Sequence, residues 1–360
     1  WDYVAPTGSG TGQPVVEKDA SGAPTGVVME MDNLIPFPRP SREEVLPALE
    51  SGVAELFTRY GVTTIGEISE TLNGLRAFRR GIESGSIAAR LNVYLWAPGT
   101  VSLQEATDPA LLAQLRGEHR DRFDITGVKV FADGGFSAAQ AAISTEYLHA
   151  PGSCGSVALA PDEVAEAYRA TREAGLQLAI HANGDRTQLE VCRALATARE
   201  RFGEHPGVRI EHAGNYVPDY PALAHALCAA GLLPVPQPIF LKIFGEFVPD
   251  YVGETAWQAQ FPFRTMLADG WPISGSSDVW VGSDEHQSNP FRSIAATLNR
   301  RTFHGQLLAE EERLNPWQAL WMHTAGGAHA LGRAGEVGSL TPGACADFAV
   351  LDTNPLTCDI

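Results

Sequence analysis

Long apolar runs are missing from this chain. No stretch approaches the ~20 residues of a membrane-spanning helix. Basic clusters are missing too. Lys and Arg number 26 against 43 Asp and Glu, the formal charge is −17, and no basic run occurs. That balance argues against nucleic acid and anionic membrane surfaces as partners, since Lys and Arg would have to supply the attraction. Cysteine is scarce. The five residues Cys154, Cys192, Cys228, Cys345 and Cys358 are odd in number, widely spaced and free of any CxxC. Free thiols in a reducing, cytoplasmic compartment are the expectation. The chain opens at Trp1 rather than Met. Residues 1–26, rich in Gly, Pro, Ser and Thr, leave a signal peptide open.

What is present is ordinary for a globular enzyme: 44% apolar and 19% charged residues. A length of 360 residues suits one large α/β barrel with a small extra unit, or two domains. The 36 glycines and 24 prolines suit many tight connections. After an extended, Pro-rich segment over 1–40, Ser41 and Glu44 form a capping-box pattern that opens a helix. VTTIGEI (62–68) follows as a strand. Helical and strand-like stretches then alternate: LNVYLW (91–96), GVKVFADGG (127–135), LQLAIHANGD (176–185), VRIEHAG (208–214), LLPVPQP (232–238) and WPISGSSD (271–278). Seven strands alternating with helices predict a parallel sheet with helical crossovers. A doubly wound sheet is the rival. Polar residues recurring at strand ends favour a (β/α)8 barrel one strand short. The expected division is 41–332 for the barrel and 333–360 for part of a small β element, with short strands near 337–340 and 346–351.

Four residues end or interrupt those strands. His181 and His212 close consecutive strands, ~4.8 Å apart in a sheet, where two imidazoles can share a metal such as Zn²⁺. A hydrogen-bonded core histidine is the plainer reading of either. Asp278 can bind a metal and accept a proton, or cap the next segment. Lys129 lies inside an apolar strand and needs a partner or must lose its charge. It can pair with Asp133, act as a Schiff-base nucleophile, or take up CO₂ as a carbamate. Asn183 and Asn215 are candidates to orient a substrate, and Glu211 is expected to be structural. The connection 239–265, carrying Phe240, Phe244 and Phe247 among its aromatics, is either an apolar lid or a helix packed on the flank. As a lid it implies a substrate with a bulky apolar group.

GVTTIGEI, GVKVFADGG, LAIHANGD, RIEHAG, ISGSSD and GSLTPGACADFAVLDTNP together resemble, in the same order, motifs of the amidohydrolase superfamily. The closest resemblance is to the YtcJ-like branch that includes N-substituted formamide deformylases, and it runs from about residue 15 to the end. It implies a metal-dependent hydrolase on a (β/α)8 barrel, with a small β-sandwich built from both chain ends. It further implies cleavage of a C–N bond in a small amide-type molecule by metal-activated water. Lys129 matches the carbamylated, metal-bridging lysine. His181 and His212 match metal ligands. Asp278 matches the metal-binding general base. One or two divalent ions, Zn²⁺ first among them, and CO₂ as the lysine carbamate are the implied cofactors, and a homodimer is allowed. The family's first strand ends in His-x-His, whereas no two of the ten histidines here are two residues apart. The expectation is therefore a carboxyl-terminal portion that needs a further segment to complete its barrel. Two other readings compete. One is a non-catalytic or truncated homologue, inactive alone. The other is a Schiff-base aldolase using Lys129.

Overall fold

The computed structural model describes residues 15–29, 41–280, 283–284 and 286–357. Strands β1 (Val15–Lys18) and β2 (Pro24–Met29) form an antiparallel hairpin. Its turn is held by the Asp19 carboxylate, which accepts from the backbone N–H of Ser21 and of Ala23 at 2.8 and 3.0 Å. Residues 1–14 and 30–40 of the expected extended segment lie outside the described residues.

The main sheet has six strands in chain order, all parallel. They are β3 (Thr64–Ser69), β4 (Arg90–Trp96), β5 (Phe123–Phe131), β6 (Gln177–His181), β7 (Val208–Glu211) and β8 (Leu233–Val235). Helices cross over between them, among them Leu72–Ser84, Pro161–Glu173, Asp185–Phe202 and Tyr220–Ala230. The Ser41 capping box forms as expected at the start of helix Arg42–Leu56. Between β4 and β5 the chain forms two short helices, Leu103–Ala106 and Pro109–Leu115, because Asp108 caps the second and Pro109 cannot continue the first.

Side-chain alternation divides the sheet into two chemically different faces. Val93, Leu95, Val128, Val130, Leu178, Ile180, Val208 and Ile210 pack against the helices in one core. Each such burial contributes ~1.5–3 kcal/mol. The opposite face is polar. Tyr94, Lys129, Gln177, Arg209 and Glu211 are all buried there. The Tyr94 hydroxyl donates to Gln177 Oε1, and Gln177 Nε2 donates to Ala330 O at 3.2 Å. The Arg209 guanidinium lies 4.1 Å from the Tyr94 ring centroid, and its Nε is 2.7 Å from Glu211 Oε1.

The seventh expected strand differs. Residues 271–278 run extended beside β8 without a ladder. Ser276 N–H donates to Pro236 O at 3.3 Å, and Gly275 N–H turns away to Met322 O at 2.8 Å. Pro272 has no N–H to give. The Gln287 side-chain amide takes the carbonyls of Ser277 and Asp278, both at 2.9 Å. The β element expected at the carboxyl end is also corrected. Among the described residues, 337–340 and 346–351 form no strand, and the one bridge joins Ala334 to Val337. The alternation of a strand is there, since Asp347 pairs with Arg90 at 2.6 Å while Phe348 and Val350 are exposed. No ladder partner for it lies among the described residues.

A second core gathers Leu241, Phe261, Phe263, Met266, Ile273, Ile294, Leu308 and Met322. Arg300, fully buried and with φ 55°, clamps it. Its guanidinium donates to the carbonyls of Leu308, Phe261 and Gln260 at 2.8, 3.0 and 3.2 Å. Arg300→Met strands those carbonyls in an apolar core. It should lower unfolding stability by on the order of 3 kcal/mol, measured by chemical denaturation. A loss under about 1 kcal/mol would show that the three bonds do not hold this core.

Candidate functional site

The carboxyl ends of β5, β6 and β7 bring the sequence-predicted residues together. The ladders pair Phe131 with His181 and His181 with Glu211. His181 therefore stands at the sheet rim one level above Lys129. His212 follows directly after β7. Its N–H donates to Val235 O at 3.0 Å, and its φ of 72° places it in the left-handed region. That turn aims the His212 ring back across the rim. Its Nε2 comes to 3.0 Å from His181 Nδ1. Asp278, with φ 48°, turns in from the far side. Non-glycine residues rarely adopt this region, and such strain, of order 1–3 kcal/mol, clusters at functional sites.

Lys129 is fully enclosed beneath the pair. Burial pulls its pKa from 10.5 to about 8, with Glu211 and Asp278 pulling the other way. Its ammonium lies 4.9 Å from the Phe131 ring centroid. Burial, then the neighbouring His181 and Lys129, push His212 well below the ordinary imidazole range, so it is neutral near pH 7. Asp278 is accessible at the open side of the sheet. The protein around its carboxyl still raises its pKa, opposed by Lys129 and His181. Water access moderates that shift. Lys129 and Asp278 thus act on each other, and Lys129 also acts on His212.

The expected Lys129–Asp133 pair is not what forms. Asp133 instead serves His181, with Oδ1 3.3 Å from Nε2. Glu211 takes the structural ion pair with Arg209 that its expected role requires. Asn215 is already committed: its amide donates to Gln237 Oε1 at 2.7 Å, and its Oδ1 accepts from Gln237 N–H at 3.0 Å. Gln237 in turn donates to Ser276 Oγ at 2.9 Å. This network staples the ends of β7, β8 and 271–278, and nothing in the sequence pattern singled out Gln237. The aromatic connection reaches the site. Phe240 stacks over His212 at 6.2 Å between centroids, and Phe244 meets Phe240 edge-on at 4.7 Å. On the other flank Phe131 stacks on His181 at 5.0 Å, and Trp96 meets Phe131 at a tilt, 5.3 Å between centroids.

Two imidazole nitrogens 3.0 Å apart suit one divalent cation. Zn–N bonds of ~2.0–2.1 Å in a tetrahedron put ligand nitrogens about 3.3 Å from each other. Among the described residues no group of three or more His, Cys, Asp or Glu is already arranged around one point. A complete donor set therefore needs more than the two histidines. Lys129 can join it only as a neutral amine or a carbamate.

Comparison with known proteins bears on the family and the fold. The chain is 26% identical over 359 residues to the putative amidohydrolase YtcJ of Bacillus subtilis, covering 96% of this chain and 64% of that one. It is 24% identical over 351 residues to an N-substituted formamide deformylase of Arthrobacter pascens, covering 95% and 63%. This chain thus spans a little under two thirds of the length of these relatives. The fold matches the crystal structure of an uncharacterized metal-dependent hydrolase from Pyrococcus horikoshii. The TM-score is 0.74 at 24% identity, over 91% of this chain and 64% of that one. That neighbour supports a TIM-type barrel architecture. The amidohydrolase family model matches residues 4–360, so the chain belongs to the amidohydrolase family.

Proposed function

We propose that the site hydrolyses an amide-type C–N bond in a small molecule carrying a bulky apolar group, with a divalent cation as cofactor. The observation that supports this best is the convergence of His181 Nδ1 and His212 Nε2 to 3.0 Å, with Lys129 and Asp278 in electrostatic reach, at the carboxyl end of a parallel sheet. His181, His212, Asp278 and Lys129 would hold the cation, Zn²⁺ being the ion that best suits nitrogen ligands. Such a cation lowers the pKa of bound water from ~15.7 towards ~7 and polarises the scissile carbonyl.

The chain's own residues supply the proton chemistry. Asp278, whose carboxyl is accessible at the rim, is the acid group placed to serve as general base. It takes the proton of the attacking water and returns it to the departing nitrogen. His212, being neutral, has one ring nitrogen without a proton that could bind the cation. Lys129, drawn down to about 8, holds a sizeable neutral fraction near pH 7–8. Only the neutral amine adds to CO₂, giving a carbamate and releasing one proton. Beside Glu211 and Asp278, a carbamate anion needs a cation to offset the repulsion. Phe240 and the half-exposed Phe244 form an apolar wall next to His212, against which the substrate's apolar group is seated.

A Schiff-base aldolase reading draws on the same lowered lysine pKa. It leaves the paired histidines without a role. Exhaustive chelation should abolish hydrolysis of N-substituted amides and Zn²⁺ should restore it. Hydrolysis that survives chelation, with borohydride trapping of a carbonyl substrate on Lys129, would move the assignment to the aldolase. In the same assay Asp278→Asn should lower kcat about 10²–10⁴-fold with a small change in KM.

The lysine also makes a prediction about stability. Between pH of about 8 and 10.5 the unfolded chain holds a proton on Lys129 that the folded chain has lost. Stability of the metal-free protein should therefore rise with pH across that window. Subtracting the profile of Lys129→Met, which lacks the group, isolates the effect in urea titrations. A flat difference would mean that the amine is solvated.

A further inference from the structure

Asp133, just beyond the end of β5, is 1% exposed. Its Oδ2 accepts from the backbone N–H of Ala142 at 3.1 Å and of Gly184 at 2.8 Å. Its Oδ1 accepts from Asn183 N–H at 2.8 Å and lies 3.3 Å from His181 Nε2. Three backbone donors from two loops thus fix the carboxylate in place. The loops interlock closely. A Cβ on Gly184 would stand 2.0 Å from Ala142 O, so only glycine fits there. The carboxylate cannot follow the His181 ring; the ring has to suit the carboxylate.

That asymmetry decides where the hydrogen of a neutral His181 sits. An ionised carboxylate only accepts. The contact with Nε2 is too far off line to count as a full hydrogen bond, so it acts mainly through charge. A negative oxygen at 3.3 Å still favours the tautomer that turns an N–H towards it and disfavours the one that turns a lone pair towards it. The hydrogen on Nε2 leaves the lone pair on Nδ1, the nitrogen that faces His212 at 3.0 Å. Phe131 covers one face of the ring, stacked on it at 5.0 Å between centroids.

We infer that Asp133 is a positioning residue: it sets the His181 tautomer, so that Nδ1 presents its lone pair to the cation site. This deepens the hydrolase reading and rests on it for the cation, though the tautomer itself is a property of the metal-free protein. A residue that merely stapled the two loops would leave the hydrogen position unchanged when its acceptor charge was removed.

The test is Asp133→Asn. Metal-free protein labelled with nitrogen-15 at histidine gives two-bond correlations that separate the tautomers, and His181 is assigned by the peaks missing from His181→Gln. Wild-type His181 should carry its hydrogen on Nε2. In Asp133→Asn the amide NH₂ can donate to Nε2, moving the hydrogen to Nδ1. Zn²⁺ affinity, from competition with a chromophoric chelator, should fall about 10–100-fold. Should Asp133→Asn fail to fold, the wild-type spectrum decides by itself. A hydrogen on Nδ1 in the wild type overturns the proposal, as does a folded Asp133→Asn that keeps the wild-type tautomer and affinity. Nε2–H in a wild type that takes up no Zn²⁺ supports the tautomer assignment and sinks the hydrolase reading separately.

Discussion

Phe131, His181 and Glu211 are paired across β5, β6 and β7, and the whole site depends on that register. A slip of one residue in either ladder would turn an entire strand over. His181 would then point into the helical core with Ile180's present neighbours, and the polar face would break between Lys129 and Arg209. What specifies the register is the outer face. Val128, Val130, Leu178, Ile180, Val208 and Ile210 must all face the helices at once. A large apolar requirement on one side thus fixes the level of a few polar groups on the other.

Above the last paired residues the control passes from strands to turns. His212 and Asp278 both sit at positive φ. Hydrogen bonds hold the backbone around each of them. The backbone N–H of Asn215 donates to His212 O at 2.9 Å and closes the β7 turn. Gln287 bonds the carbonyl of Asp278 at 2.9 Å. The same two turns provide what straight strands could not. Residues on neighbouring strands of a flat rim project side by side, whereas the left-handed turn at His212 aims its imidazole at the neighbouring one. The strain is located where convergence is needed, and the Asn215–Gln237–Ser276 network resists its release.

Much of this was legible in the sequence because it is carried by local pattern. Six of the seven apolar runs of strand length and the capping box at Ser41 produce the elements they suggest. His181, His212, Asp278 and Lys129 could be marked because each stands where an apolar run ends or is interrupted. The partner of Asp133 was not legible. Proximity in sequence suggested Lys129, but Asp133 lies past the strand end, where the chain has left the inner face and the loop N–H groups of Ala142, Asn183 and Gly184 collect it. Gln237 was hidden for a similar reason, as its partners are 22 and 39 residues away. The apolar run at 271–278 looked like a strand by composition. Whether a run pairs is decided by which groups claim its carbonyls, and here the Gln287 side chain does so.

The charges around the rim explain why this arrangement suits a cation. Lys129 and Arg209 bring positive charge, while Glu211, Asp133 and Asp278 bring negative charge, and burial holds His212 neutral between them. Arg209 is taken by Glu211 at 2.7 Å, and Asp133 is spread over three backbone N–H groups. Lys129 and Asp278 are left to balance each other across the site. In the protein alone that balance is poor: burial lowers the lysine and raises the aspartate, so each is pushed towards losing its charge. A divalent cation reverses the pressure on Asp278 by favouring the carboxylate. It also favours a Lys129 that has given up its proton, whether as an amine or as a carbamate. The same ion that completes the histidine pair therefore relieves the two residues that the fold alone leaves electrostatically unsatisfied.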